Sequence, residues 1–134
     1  MTRPDELAEE ARTHSIIGGF FEVYNTFGFG FAESVYLGAL ERELTWRGHK
    51  VAREVSVCVW YKGDPVAWQR LDMLVDDSVI VEAKATPKLT PAARQQCYNY
   101  LCATGLEVGL VLGFGLEPEF LRLYCPKQRK RAKE

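Results

Sequence analysis

The chain has no apolar run long enough to cross a membrane: its uninterrupted apolar stretches, such as Val108–Phe114, fall far short of the roughly 18 residues a span needs. Glycine and proline, 11 and 6 of 134 residues, are too sparse for a low-complexity or disordered chain, and no internal repeat is present. The N-terminus, Met1-Thr-Arg-Pro-Asp-Glu6, lacks the basic and then apolar residues of a secretory leader, so a cytoplasmic location is expected. Net charge is only −1, which argues against a generic nucleic-acid coat. Four cysteines occur without a CxxC pair, and Cys97 and Cys102 are spaced so that they do not share a helix face well. They read as buried free thiols rather than disulfides or a metal centre. His14 and His49 have no partners at ligand spacing and take solvated or core roles.

What is present suits one compact domain of 15.2 kDa, 47% hydrophobic and 26% charged. Its boundaries are set at 1–125, followed by a basic tail at 126–134 carrying Lys127, Arg129, Lys130, Arg131 and Lys133. That tail is either a solvated terminus or a phosphate-tracking arm.

Pro4 and the acids after it start a helix whose apolar positions Ile17, Phe20, Phe21, Tyr24 and Phe27 repeat at helical spacing, giving a first helix over about Pro4–Asn25. Gly28-Phe-Gly-Phe31 breaks it, and Tyr36, Leu37, Leu40 and Leu44 mark a second helix ending before Gly48. Period-two alternation then predicts a strand from Val51, with Val51, Val55, Val57 and Val59 on one face. Lys62-Gly-Asp-Pro65 and Asp76-Asp-Ser78 are turns that separate strands Val66–Val75 and Val79–Ala85, making an antiparallel meander. Thr90-Pro91 caps a helix of about fourteen residues that stops at Gly105, and strands Glu107–Phe114 and Phe120–Tyr124 follow. The fold class is α/β, in the order ααβββαββ, with a parallel crossover between the third and fourth strands.

Alternation places Glu82 and Lys84 on one face of the third strand. If Asp76, Asp77 and Ser78 form a three-residue loop, Val75 pairs with Val79 and Asp72 falls directly opposite Glu82. A two-residue loop sends Asp72 to the other face, so the loop length decides whether two carboxylates and an amine converge. Adjacent carboxylates repel and call for a cation, and all-oxygen ligation suits Mg²⁺ or Mn²⁺. The alternative is a structural ion pair on a half-exposed sheet.

The spacing of Asp72 and Glu82-Ala83-Lys84 resembles the active-site signature of the PD-(D/E)XK nuclease superfamily, and Gly30-Phe-Ala-Glu33-Ser-Val-Tyr36 resembles the GxxExxY motif of one small family within it. Similar runs include Ile16-Ile-Gly18, Arg70-Leu-Asp72, Ile80-Val-Glu82, Leu89-Thr-Pro91 and Asn99-Tyr-Leu101, so the resemblance covers about residues 15–124. Leu71 stands where the superfamily's name has proline. The resemblance implies a restriction-endonuclease-like core, a mixed β-sheet flanked by helices. It implies a nuclease hydrolysing phosphodiester bonds of DNA or RNA with Mg²⁺ or Mn²⁺. A catalytically silent nucleic-acid-binding or assembly module with the same fold is the alternative, and an unrelated small-molecule enzyme or interaction domain a third reading.

By the same resemblance, Asp72, Glu82 and the carbonyl of Ala83 ligate the metal, Lys84 orients or deprotonates the attacking water, and Glu33 adds an acid that touches the metal directly or through water. Glu33 as a solvated first-turn acid is the bland counterpart. Gln96 and Tyr100, one helical turn apart, resemble a QxxxY pair that steadies the site or the nucleic-acid backbone, although Tyr100 also fits a core position and Gln95 could replace Gln96. Arg70 meets a phosphate or pairs with a carboxylate. Trp68 is placed in the core, with stacking on a base as the other option. The implied partner is nucleic acid, DNA ahead of RNA, without a membrane, and a homodimer would double a small footprint.

Overall fold

A computed structural model describes residues 4–126. Helices α1 (Pro4–Phe27) and α2 (Glu33–Trp46) precede strands β1 (Val51–Tyr61), β2 (Asp64–Val75) and β3 (Val79–Lys84); α3 (Pro91–Thr104), β4 (Val108–Phe114) and β5 (Pro118–Tyr124) complete the order ααβββαββ. The five strands form one mixed sheet in the order β1-β2-β3-β4-β5, antiparallel except for the parallel pair β3 and β4. The expected meander and crossover are both present. No helix among the described residues is long and apolar enough to cross a membrane. The basic tail lies, apart from Pro126, outside the described residues.

Local chemistry sets the element ends. Helix α1 runs two residues past Asn25 and ends where Gly28, at φ +64°, returns its N–H to the Tyr24 carbonyl. Helix α3 starts where the Thr90 hydroxyl accepts the Ala93 N–H at 3.2 Å with Pro91 in its first turn, and it stops at Gly105 in the left-handed region. Asp76 and Asp77 both take positive φ, and Ser78 N–H bonds the Val75 carbonyl, a tight turn that aspartate tolerates. Asp76 also receives Arg12 Nε, His49 Nδ1 and the Lys50 N–H, which pins this turn to α1 and to the segment before β1. His49 thus has a structural role, bonded on its other nitrogen to the Ser15 hydroxyl.

The core has two halves, one on each sheet face. Ile16, Phe20 and Val23 of α1 and Tyr36, Leu37, Leu40 and Leu44 of α2 pack on the alternate residues of β3 and β4, Val79, Val81 and Ala83 with Leu110, Leu112 and Phe114. On the other face Cys97, Tyr100 and Leu101 of α3 meet Ile80, Val111 and Leu123. Covered on both sides, β3 and β4 need near-continuous apolar runs, which is why Glu82 stands out within β3. Gly109 lets α3 approach β4, since a Cβ there would lie 2.8 Å from Cys97 Sγ.

Two expectations fail. Val51 packs toward α1 and α2, whereas Val55 and Val57 pack toward α3, so the four valines of β1 do not share a face. The alternation breaks at Glu54, whose φ of +54° inserts a kink, and β2 breaks at the same rung: Leu71 and Leu74 face α3 while Met73 and Val75 face the other helices. Trp68 is 70% exposed and is not a core residue, because the outer half of the β1–β2 hairpin extends beyond the helices that cover the rest of the sheet. The thiols are free as expected, though Cys58 and Cys102 are only half-buried, and Cys102 Sγ lies 3.5 Å from Cys125 Sγ.

Candidate active site

The register Val75↔Val79, Leu74↔Ile80, Met73↔Val81 confirms the three-residue loop, and one rung further stand Asp72 and Glu82. There the backbone ladder gives way to side chains. The Asp72 N–H donates to Glu82 Oε2 at 2.8 Å, and the Ala83 N–H donates to Asp72 Oδ2 at 2.9 Å. The kink at Glu54 belongs to this rung as well, since Arg53↔Met73 and Val55↔Leu71 bracket it and place Glu54 opposite Asp72. One oxygen of each carboxylate is used in these bonds; the second of each takes no hydrogen bond from the described residues.

Glu82 is 2% exposed and carries the site's electrostatics. Burial, and then the charge of Asp72, push its carboxyl up to about 8, with Glu33 adding in the same direction, against the Asp72 N–H and Lys84. Without a cation it therefore holds a proton near neutral pH. Two converging carboxylates of which one resists ionisation form a donor set suited to a hard divalent cation. Among the described residues no three His, Cys, Asp or Glu side chains come close enough together to hold a metal between them.

Lys84 follows Glu82 by two residues and faces α3, where its Nζ donates to Gln96 Oε1 at 2.9 Å. Of the two glutamines, Gln96 is the one that meets Lys84; Gln95 Nε2 is bonded instead to Asn99 Oδ1 at 2.9 Å. Tyr100, one turn beyond Gln96, is buried in the α3 half of the core and is also close enough to feel both acids: burial first, then Glu82 and Asp72, raise its phenol, while the Gln96 amide opposes them. This one side chain thus packs in the core and lies beside both acids. Cys97, a buried free thiol as expected, lies close enough to Glu82 to feel its charge, and burial followed by that charge pushes its thiol up to about 12, so it stays neutral.

Glu33 is the first residue of α2, and its Oε2 accepts the Ala85 N–H at 3.5 Å, just past the end of β3. The residues around it explain the local pattern. Gly30 takes φ +123°, a conformation closed to other residues, and the Tyr36 hydroxyl donates to the Gly28 carbonyl while accepting the Phe31 N–H at 3.2 Å. The Tyr36 ring is fully buried and stacks on Phe114, 4.2 Å between centroids. Glycine, glutamate and tyrosine thus hold one turn that presents Glu33 at the end of β3. Arg70 is two-thirds exposed, with Nη1 3.7 Å from Glu54 Oε1, so it has a loose carboxylate partner and remains open to solvent.

Compared with known protein families, the sequence matches the PD-(D/E)XK nuclease superfamily over residues 10–123. No curated protein and no solved structure matches it.

Proposed function

We propose that this chain, which belongs to the PD-(D/E)XK nuclease superfamily, is a divalent-metal-dependent nuclease that hydrolyses phosphodiester bonds of DNA or RNA. Members of the superfamily are usually nucleases and generally use divalent metals, and the Gly30–Tyr36 turn supports placing this chain in the GxxExxY family within it. The observation that carries the reading is the exchange of hydrogen bonds between Asp72 and Glu82 one rung beyond the ladder, with Lys84 on the same strand.

Asp72 and Glu82 would hold Mg²⁺ or Mn²⁺, with the Ala83 carbonyl as a further oxygen donor and Glu33, which does not group with the two acids at ligand distance, acting through a metal-bound water. When bound, such a cation supplies positive charge to the phosphate and eases loss of a proton from the attacking water. Lys84 lies beside the acids without sharing their place as ligands. Its ammonium orients that water and offsets charge growing on the phosphate oxygens, and Gln96 fixes its direction. Tyr100 braces the α3 side, and Arg70 stands along β2 where a flanking phosphate would pass.

The test is cleavage of labelled single- and double-stranded DNA and RNA with Mg²⁺, Mn²⁺ or EDTA, alongside calorimetric titration of either metal into wild type and Glu82→Gln. Cleavage with metal and none with EDTA, with weaker metal binding in the variant, is the expected result. Nucleic-acid binding without metal uptake or turnover assigns the silent binding module instead.

A further inference from the structure

The outer half of the β1–β2 hairpin carries a shallow cavity of about 540 Å³, of whose lining the proposed chemistry uses only Arg70. Arg53, Glu54, Ser56, Trp68, Gln69 and Arg70 line it. Arg53 pairs with Glu41 of α2, so the cavity opens on the side of the sheet that carries α2, the helix whose first residue is Glu33.

Three of the lining groups have contacts left to make. Trp68 presents a largely uncovered indole on a strand held by an extended antiparallel ladder, so it is exposed and yet fixed. Arg53 Nε is buried and has no hydrogen-bond partner among the described residues, a donor that a bound acceptor would satisfy. Arg70 is held by Glu54 only at 3.7 Å, with both side chains about two-thirds exposed, so a phosphate could take its guanidinium at little cost. Glu54 is a non-glycine residue at φ +54°, a strained backbone at the rung shared with Asp72. Arg70 and Trp68 precede Asp72 along β2 by two and four residues, about 7 and 13 Å at the usual strand rise.

Beside the Glu54 carboxylate, which a phosphate would displace from Arg70, an aromatic face, two guanidinium groups, an amide and a hydroxyl form the set that recognises a nucleotide whose base is unstacked. In a duplex the base faces are covered by their neighbours, so an exposed indole can be used only by a single-stranded or frayed segment. We infer that this cavity is a subsite for single-stranded nucleic acid, in which Trp68 stacks on a base of a strand that runs on toward the end of β3 and Arg70 and Arg53 take the backbone. The inference rests on the nuclease reading for its direction along β2 toward Asp72.

Fluorescence anisotropy with labelled oligo-dT, oligo-rU and a blunt DNA duplex, in EDTA, tests it on wild type, Trp68→Ala, Trp68→Phe and Arg70→Ala. Trp68 is exposed, so its variants keep the fold, which circular dichroism checks. Trp68→Ala is expected to weaken single-strand binding about tenfold or more, Trp68→Phe to retain most of it, and duplex binding to change little. Arg70→Ala is expected to lower the salt slope by about one. The dT and rU arms tell which sugar is preferred. Equal single-strand affinity of wild type and Trp68→Ala overturns the subsite, as does the absence of single-strand binding by wild type. So does conversion of a dimer to monomers by Trp68→Ala with single-strand affinity unchanged, which assigns the face to a second copy. Metal-dependent cleavage is scored separately: no cleavage with Trp68-sensitive binding removes the nuclease reading and keeps the subsite, and the opposite result does the reverse.

Discussion

Asp72 and Glu82 each satisfy a peptide N–H on the other's strand, at 2.8 and 2.9 Å, so the two acids serve as the last rung of the β2–β3 ladder as well as the proposed metal ligands. The form of a substitution should therefore matter as much as its charge. Asn and Gln keep a carbonyl oxygen that can accept those bonds and remove like-charge repulsion, so Asp72→Asn and Glu82→Gln should melt at or above wild type in EDTA. The alanine variants orphan a buried N–H and should lose about 1–3 kcal/mol. Thermal melts of the four proteins check the ranking, and all four should bind Mn²⁺ more weakly.

Lys84→Ala should behave differently. It removes a cation that competes with the metal and no ligand, so calorimetric metal affinity should hold or rise while the cleavage rate falls by about 10²–10³. The Lys84–Gln96 contact is exposed, so the melting temperature should move little. No metal binding by wild type together with a large melting loss in Lys84→Ala would mark the cluster as a structural ion pair.

The raised Glu82 carboxyl predicts a pH effect with a definite sign. Folded, the group titrates at about 8, against an ordinary value of 4.5. Between those pH values the folded state binds the extra proton, so the penalty is absent below about pH 4.5, grows through the window and is complete above about 8. Metal-free protein should thus lose stability as pH rises from 5 to 8, by an amount on the order of a few kcal/mol, and Glu82→Gln should flatten the slope. Asp76 does not contribute in this window: although burial raises it, His49, the Lys50 N–H and Arg12 together lower it, so its support is lost only in stronger acid. Urea melts across the range decide the sign. Metal uptake, which displaces the proton, should tighten over the same interval.

Tyr36→Phe keeps the ring stacked on Phe114 and removes only the hydroxyl that ties Gly28 to Phe31. The expected cost is about 1–3 kcal/mol, read by chemical denaturation. Because Glu33 is two residues beyond Phe31, cleavage should fall further than stability alone accounts for.

The central geometry was partly legible because β3 is buried on both faces: in such a strand a lone Glu and Lys stand out, whereas Asp76-Asp-Ser78 left two loop lengths open, of which the three-residue one that sets Asp72 against Glu82 is formed. The helix caps at Thr90-Pro91 and Gly105 were legible for the same local reason. The kink at Glu54 was not, since glutamate carries no signature of positive φ, and reading β1 as unbroken alternation put four valines on one face. Trp68 was misplaced because an indole on an alternating strand reads as core until the helices that would cover it are seen to end short. The choice between Gln95 and Gln96 depends on helical phase against Lys84, which spacing within α3 alone does not supply.

Because the last rung of the hairpin is made of carboxylates, the peptide groups of Asp72 and Ala83 are wired to the chemistry of the cleft. In an isotope-labelled sample their amide resonances should follow ionisation of Glu82 and arrival of a cation, while the signals of Met73 and Val81, one rung inside the ordinary ladder, stay still. The protein thus carries an indicator of its own occupancy in its backbone.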